Sequence, residues 1–424
     1  MQDAPNIRPF GLWTATALVV GGMIGSGIFL MPTSLAPFGW TGVLAWVVSI
    51  IGASCVAFAL SRLASTMPGE SGAIAIVGNV LGVLPGVLVG WSYWVSVWAA
   101  NAAIAIAAAS YLTVLRLTPL PGAATAIVLI WLLTLINMGG ARLAGQFQVV
   151  TTVLKLVPLI IVAAILFHLA FSPVQILPPL PGGTTILAGL SSAVALTLFP
   201  LVGFEAAGIA AERVRNPERN VLRATMIGTG LTGLLYIIVC SGIVLTLPPE
   251  VLGNSNAPFQ LFIVTYGGAA LAGIVSAFAA IAAIGALNGW VLIQGEVPLG
   301  MARAGLLPRW FAAVSPRDVP VRVLVISSIF ASLLVYANSS KSMSGVFEFA
   351  AQLTTCASLW LYAAACVAAL MRRVAVVPSL IGLPFTFWAF WGAGRDASLL
   401  SIALMLSALP VYALRTWGAA PKSA

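Results

Sequence analysis

The sequence predicts an all-α polytopic membrane protein of about twelve transmembrane helices, built as five plus five in an inverted repeat with two further helices at the C-terminal end. Three observations predict it. Of 424 residues, 61% are hydrophobic and only 7% charged, at a mean hydropathy of +1.08, whereas soluble domains carry roughly 25% charged residues. The chain divides almost completely into apolar runs, and a helix needs about 20 apolar residues to cross a bilayer. The first run of each set of five is interrupted by Gly or Pro, the sequence sign of discontinuous helices around a midplane site.

Charges, Pro and Gly set the boundaries. They give spans near 11–34, 40–65, 81–113, 121–139, 145–170, 187–211, 221–247, 262–302, 321–339, 345–370, 376–393 and 398–416. A single transport domain thus covers 1–424, with a first repeat at 11–170, a second at 187–370 and a final pair at 376–416. The charge-free, Pro- and Gly-rich stretch Leu177 to Thr185 is the seam between repeats. Span 1 carries Gly21, Gly22, Gly25 and Gly27 at its middle, and span 6 carries Pro200 and Gly203. Span 3 is crowded with Trp91, Tyr93, Trp94 and Trp98, then Asn101. Span 5 holds Lys155 within an apolar run, and span 8 holds Asn288, Gly289 and Trp290 at mid-depth.

With both termini placed in the cytoplasm, fifteen of the nineteen basic residues fall on the inner side and only Arg116, Lys341 and Arg395 on the outer, with Lys155 inside a helix. That asymmetry orients the chain by the positive-inside rule. The scattered basic residues form no continuous face with interleaved aromatics, so nucleic acid is excluded as a partner despite a net charge of +9. Cys55, Cys240, Cys356 and Cys366 lack metal or redox spacing. No metal or cofactor is expected. Met1 to Pro9 leads straight into span 1 without a cleavage site, so no cleaved signal peptide is expected. A single histidine and the absence of H-E-x-x-H or G-x-S-x-G argue against an enzyme.

Unwound backbone in a bilayer must line a cavity or meet a ligand. The amides of Ser26, Gly27 and Ile28 open the second half of span 1, where the positive helix end favours an α-carboxylate. Carbonyls near Met23, Phe199 and Val202 are candidate acceptors for an α-ammonium. Ser96, Val97 and Asn101 of span 3 are further candidates for the pocket. Asn101 bonds either a neighbouring helix or a polar substrate group, and Trp290 is placed to cover the cavity and stack a cation. Intramembrane charges are functional candidates. Glu205 reads either as a proton-titrating carboxylate that couples protonation to gating or as a partner for amides of the broken helix. Lys155 either fills a cation site between helices or pairs with a carboxylate.

Gly22 to Phe29 (G-M-I-G-S-G-I-F), Gly203-Phe204-Glu205, Asn216 to Val221 (N-P-E-R-N-V) and Gly289-Trp290 together resemble the amino acid/polyamine/organocation superfamily. Within it the chain is similar to bacterial antiporters that exchange arginine for agmatine, lysine for cadaverine or ornithine for putrescine. The resemblance implies that Ser26 and Gly27 bind carboxylate, that Asn101 and Trp290 line the pocket, and that Glu205 closes the inner side with Tyr93. It puts Phe199 in place of a tryptophan gate and offers Thr355 or Cys356 of span 10 as pocket residues. Those antiporters lack a lysine at Lys155. Proton-coupled amino acid transporters of the superfamily have one there, its amine standing in for sodium.

The expected function is sodium-independent exchange of a basic amino acid for its amine by alternating access. The alternative is proton-coupled transport of neutral amino acids through Lys155. A channel would differ by flux that neither saturates nor shows trans-stimulation. The expected partners are a small amino acid or amine, protons, the bilayer of the bacterial inner membrane and, by resemblance, a second copy in a homodimer.

Overall fold

The computed structural model describes residues 11–25, 27–67, 72–139, 151, 154–171, 178, 187, 189–205 and 214–417. The first span is two helices, α1 (Leu12–Met23) and α2 (Gly27–Leu35), bent by 47° at the break. Next come α3 (Trp40–Ser65), α4 (Ala73–Leu81), α5 (Val83–Val114), α6 (Gly122–Met138) and α7 (Leu156–Ala170). Of the sixth span, α8 (Leu190–Leu198) is followed by a 3-10 turn at Phe199–Leu201 and irregular chain to Glu205. The seam at 177–185, apart from Pro178, and all of 206–213 lie outside the described residues.

The seventh span runs from α9 (Pro217–Tyr236) through a π-helical turn at Ile237–Ser241 into α10 (Gly242–Thr246). Two short helices follow, α11 (Pro249–Gly253) and α12 (Pro258–Tyr266), before the long α13 (Ala269–Arg303). The chain closes with α14 (Val321–Ala337), α15 (Met343–Met371), α16 (Val376–Gly392), α17 (Arg395–Leu406) and α18 (Ala408–Trp417). Among the described residues, six helices are long and apolar enough to cross a membrane. The bent pair α1–α2 makes a seventh span, and five shorter apolar helices stand at the remaining expected positions.

The boundaries differ in three places. The expected eighth span, 262–302, is cut at Gly267 and Gly268, the latter at φ +88°, because α12 stops there and α13 starts anew. Helix α4, bounded by Gly72 (φ +95°) and Gly82 (φ +101°), is an additional nine-residue helix, too short to span. The last span is bent into α17 and α18 at Ser407. Lys155 stands within the fifth helical span, as expected: Thr151 and Leu154 before it are helical, its amide reaches Thr151 O at 3.0 Å, and α7 begins at the next residue.

Helices α5 and α15 form the buried centre. Small side chains, including the run Ala105 to Ala109 broken only by Ile106, let neighbouring backbones approach closely. Around α5 a buried polar chain ties four helices. Asn101 Nδ2 donates to Gln294 Oε1 (2.7 Å), Gln294 Nε2 donates to Ser328 Oγ (2.9 Å), and Ser328 shares a 2.6 Å bond with Thr134. In an apolar medium such side chains need one another. Large apolar groups such as Leu132, Ile160, Leu231 and Phe387 are instead exposed on the outer surface, as a lipid-facing surface requires.

Candidate functional site

The break in the first span begins where α1 runs out of partners. Ile24 N still reaches Val20 O (2.8 Å), but Gly25 N turns back to Met23 O (2.7 Å). The carbonyls released at the end of α1 are capped from other helices. Lys155 Nζ donates to Gly21 O at 2.8 Å, and Tyr236 Oη donates to Met23 O at 2.7 Å. A cation at a helix C-terminus meets the negative end of its dipole. Beyond the break, Tyr111 Oη donates to Phe29 O (2.9 Å) and holds α2. Ser26 itself lies outside the described residues.

The break in the sixth span has a different cause. Pro200 supplies no amide to the helix, Val202 turns to ψ 134°, and Gly203 takes φ +113°. A Cβ on Gly203 would stand 2.8 Å from Gly22 O and 3.2 Å from Met23 N. The two interrupted segments therefore meet backbone to backbone, which only glycine permits at this φ and this distance. The ring of Phe199 lies on Gly27, where an added Cβ would be 2.8 Å from Cε1. Its other side meets Phe347 edge-on at 5.7 Å between centroids.

Between these segments lies a narrow cavity of ≈ 20 Å³, room for about one water. It brings together five expected residues, Met23, Gly27, Phe199, Val202 and Trp290, with Gly22, Gly25, Ala100, Ile104, Pro200 and Thr354. Six expected residues do not line it. Ile28 is buried within α2. Ser96 Oγ donates to Tyr93 O (2.6 Å), Val97 is buried within α5, and Asn101 bonds Gln294, a neighbouring helix rather than the cavity. Thr355 donates to Ala351 O (3.0 Å) and Ala195 O (3.3 Å), while Cys356 faces Ser398 at 3.7 Å. Each residue turns an α-helix by about 100°, so a one-residue displacement swings Thr355 away and Thr354 in. Thr354 was one count from legible; Ala100 and Ile104 carry no chemical signal of their own.

Glu205 lies below this junction, 3% exposed. Its Oε1 accepts from Tyr93 Oη at 2.5 Å, and its Oε2 accepts from Gly203 N (3.1 Å) and Tyr362 Oη (3.3 Å). All three donors are neutral. The Gly203 amide is the contact expected of a partner for the broken helix, and the Tyr93 phenol is the contact that the resemblance implies. Lys155, 1% exposed, caps a carbonyl and has no ion pair among the described residues; Arg303 pairs with Asp318 at 3.2 Å. Among the described residues no group of three or more His, Cys, Asp or Glu is placed to hold a metal.

Residues 10–416 match the family model for amino acid permeases. The cadaverine/lysine antiporter of Escherichia coli (strain K12) is 30% identical over 427 residues, covering 96% of this chain and 95% of that protein. The putrescine transporter PotE of the same strain is 27% identical over 419 residues, 95% of each chain. Among solved structures, a manganese transporter of Eremococcus coleocola has the same fold at a TM-score of 0.58 and 14% identity, covering 95% of this chain and 93% of that one.

Proposed function

The chain belongs to the amino acid permease family, and from that premise we propose that it is a sodium-independent antiporter exchanging a basic amino acid for its amine. The observation that carries the proposal is the meeting of two helix breaks at one cavity. There the amide end of α2 at Gly27 and the carbonyl end of α1 at Met23 face the same small space. Opposite backbone dipoles a few residues apart suit a molecule with a carboxylate at one end and an ammonium at the other. The names of the relatives, a cadaverine/lysine antiporter and a putrescine transporter, support a basic amino acid and its amine.

The cavity is too small for such a substrate with Phe199 resting on Gly27 and Tyr236 holding the Met23 carbonyl. Binding therefore requires the Phe199 ring to leave the start of α2 and a substrate ammonium to compete for the carbonyls. Alternating access then consists of tilting α1, α2 and the sixth span about the Gly22–Gly203 contact against the α5, α6, α13 and α14 unit joined by its polar chain. Glu205, held by Tyr93 and Tyr362, is the group whose protonation would loosen the inner closure, because a protonated carboxyl loses one of its acceptor sites. The Lys155 ammonium on Gly21 supplies the positive charge that a sodium ion would otherwise bring. That contact also favours a second reading, proton-coupled transport of neutral amino acids.

The proposed setting is the bacterial inner membrane with both termini cytoplasmic, as the basic residues indicate, with a homodimer the proposed assembly. A counterflow panel in proteoliposomes discriminates the substrates: arginine, agmatine, lysine, cadaverine, ornithine, putrescine and neutral amino acids, at two pH values, with and without sodium. Saturable exchange confined to basic amino acids and amines is expected. Exchange confined to neutral amino acids would move the conclusion to the second reading, and strict sodium dependence would overturn the role of Lys155.

A further inference from the structure

A second cavity, far larger than the first, opens at the N-terminal end of α15. It has a volume of ≈ 530 Å³, within the range of roughly 300–1,000 Å³ that small-molecule sites occupy. It lies between the start of α15, the α16–α17 turn and the beginning of α8, at the end of the molecule where the rare outer basic residues sit. Lys341, Glu348, Phe349, Gln352, Arg395 and Asp396 line it. Two cations and two carboxylates thus face one space, in a chain with only 7% charged residues, and no ion pair joins them.

Arg395 and Asp396 occupy the first turn of α17, whose N-cap Gly394 offers no side-chain acceptor to the helix amides. The Lys341 ammonium stands over the Phe349 ring, 4.5 Å from its centroid. Glu348 is half-buried; its Oε1 takes only a long 3.4 Å bond from Gln352 Nε2, and among the described residues its Oε2 has no hydrogen-bond donor. An anion is matched by Arg395, Lys341 and the α17 amides, and an ammonium by the open side of the Glu348 carboxylate.

We propose that this cavity is a second binding site, for a small zwitterion carrying an ammonium and an anionic group, and that its occupant is the amino acid on its way to the central site. Its use as an antechamber rests on the proposed transport function. The path inward is short. Glu348 and Thr354 are six residues apart on α15, about 9 Å at 1.5 Å per residue, and Phe347 beside Glu348 packs on Phe199, the ring that covers Gly27. Occupancy beside Phe347 therefore acts on the ring that must move. The head group of phosphatidylethanolamine carries the same pair of charges, so the test separates the two sources.

The experiment is equilibrium binding of radiolabelled lysine to the purified full-length chain in phosphatidylcholine nanodiscs. Two classes of site are expected. Glu348→Gln combined with Arg395→Gln should weaken the looser class at least about tenfold and keep the tighter class, which shows the variant folded. Cadaverine, lacking a carboxylate, should compete only for the tighter class. A single class in the unmodified chain that the double variant leaves unchanged, or a looser class untouched by the double variant, overturns the proposal. So does a looser class that disappears when phosphatidylethanolamine replaces phosphatidylcholine, which assigns the cavity to the lipid. Loss of the tighter class alone in Trp290→Ala supports a separate outer site. Absence of the tighter class from the unmodified chain, with the looser one present, would fault the central reading and sustain the outer site.

Discussion

Replacing Gly203 by alanine tests the junction of the two broken helices directly. The backbone there has φ +113°, and the new methyl would sit 2.8 Å from Gly22 O, 2.9 Å from Gly22 C and 3.2 Å from Met23 N. The neighbours are backbone atoms, with no rotamer to relieve the contact. A side chain in this φ region costs roughly 1–3 kcal/mol, and overpacking a tight contact adds about 1–3 kcal/mol. Together that is on the order of 2–6 kcal/mol, or at least about thirtyfold in an equilibrium constant. Gly230→Ala, on the exposed side of α9 with nothing within 4 Å of the added carbon, is the matched control. Gly27→Ala is intermediate, because its Cβ meets the movable ring of Phe199 at 2.8 Å and the Pro200 ring at 3.3 Å. Thermal stability by fluorescence-detected size exclusion and exchange rate in proteoliposomes should both rank Gly230→Ala above Gly27→Ala above Gly203→Ala. A Gly203→Ala protein with the stability and exchange rate of the unmodified chain would refute the backbone-to-backbone junction.

Other expectations follow from single contacts. Lys155→Met leaves the half-buried Gly21 carbonyl without its donor, about 1–3 kcal/mol, and should lower uptake at least tenfold in both sodium and choline media; full uptake would show the amine is dispensable. Glu205→Gln should flatten the pH dependence of exchange, and Tyr93→Phe should weaken it by removing the 2.5 Å bond; an unchanged profile in Glu205→Gln removes this carboxylate from proton coupling. Thr354→Val should change the half-saturating substrate concentration with little effect on Tm. Thr355→Val, which gives up bonds to Ala351 O and Ala195 O away from the cavity, should do the reverse; the opposite pattern would place Thr355 in the pocket.

Much of this architecture is written in the sequence because membranes limit the choices. Each apolar run must be a helix, so the twelve segments and the breaks at Gly25 and Pro200 were readable from composition and punctuation. Met23, Gly27, Phe199, Val202 and Trp290 were readable for the same reason, since they flank the interruptions or stand apart from the interfacial aromatics. Hydropathy runs unbroken through Gly267 and Gly268, however, so nothing in it separates α12 from α13. The face a helical residue presents was also hidden: Thr354, Thr355 and Cys356 are equally apolar in context, and only packing decides which meets the cavity. Asn101 was the reverse case, a conspicuous polar residue whose partner, Gln294, lies nearly two hundred positions away. Tyr236, which caps the Met23 carbonyl, gave no signal at all, because a tyrosine in a long apolar span has many uses.

The most direct measurement is counterflow into proteoliposomes in sodium-free medium, comparing vesicles loaded with unlabelled lysine against empty ones. Loaded vesicles should transiently accumulate external labelled lysine, with an initial rate that saturates and exceeds that of empty vesicles at least about tenfold. Equal, non-saturating entry into loaded and empty vesicles would contradict an exchanger built on two broken helices and point to a channel.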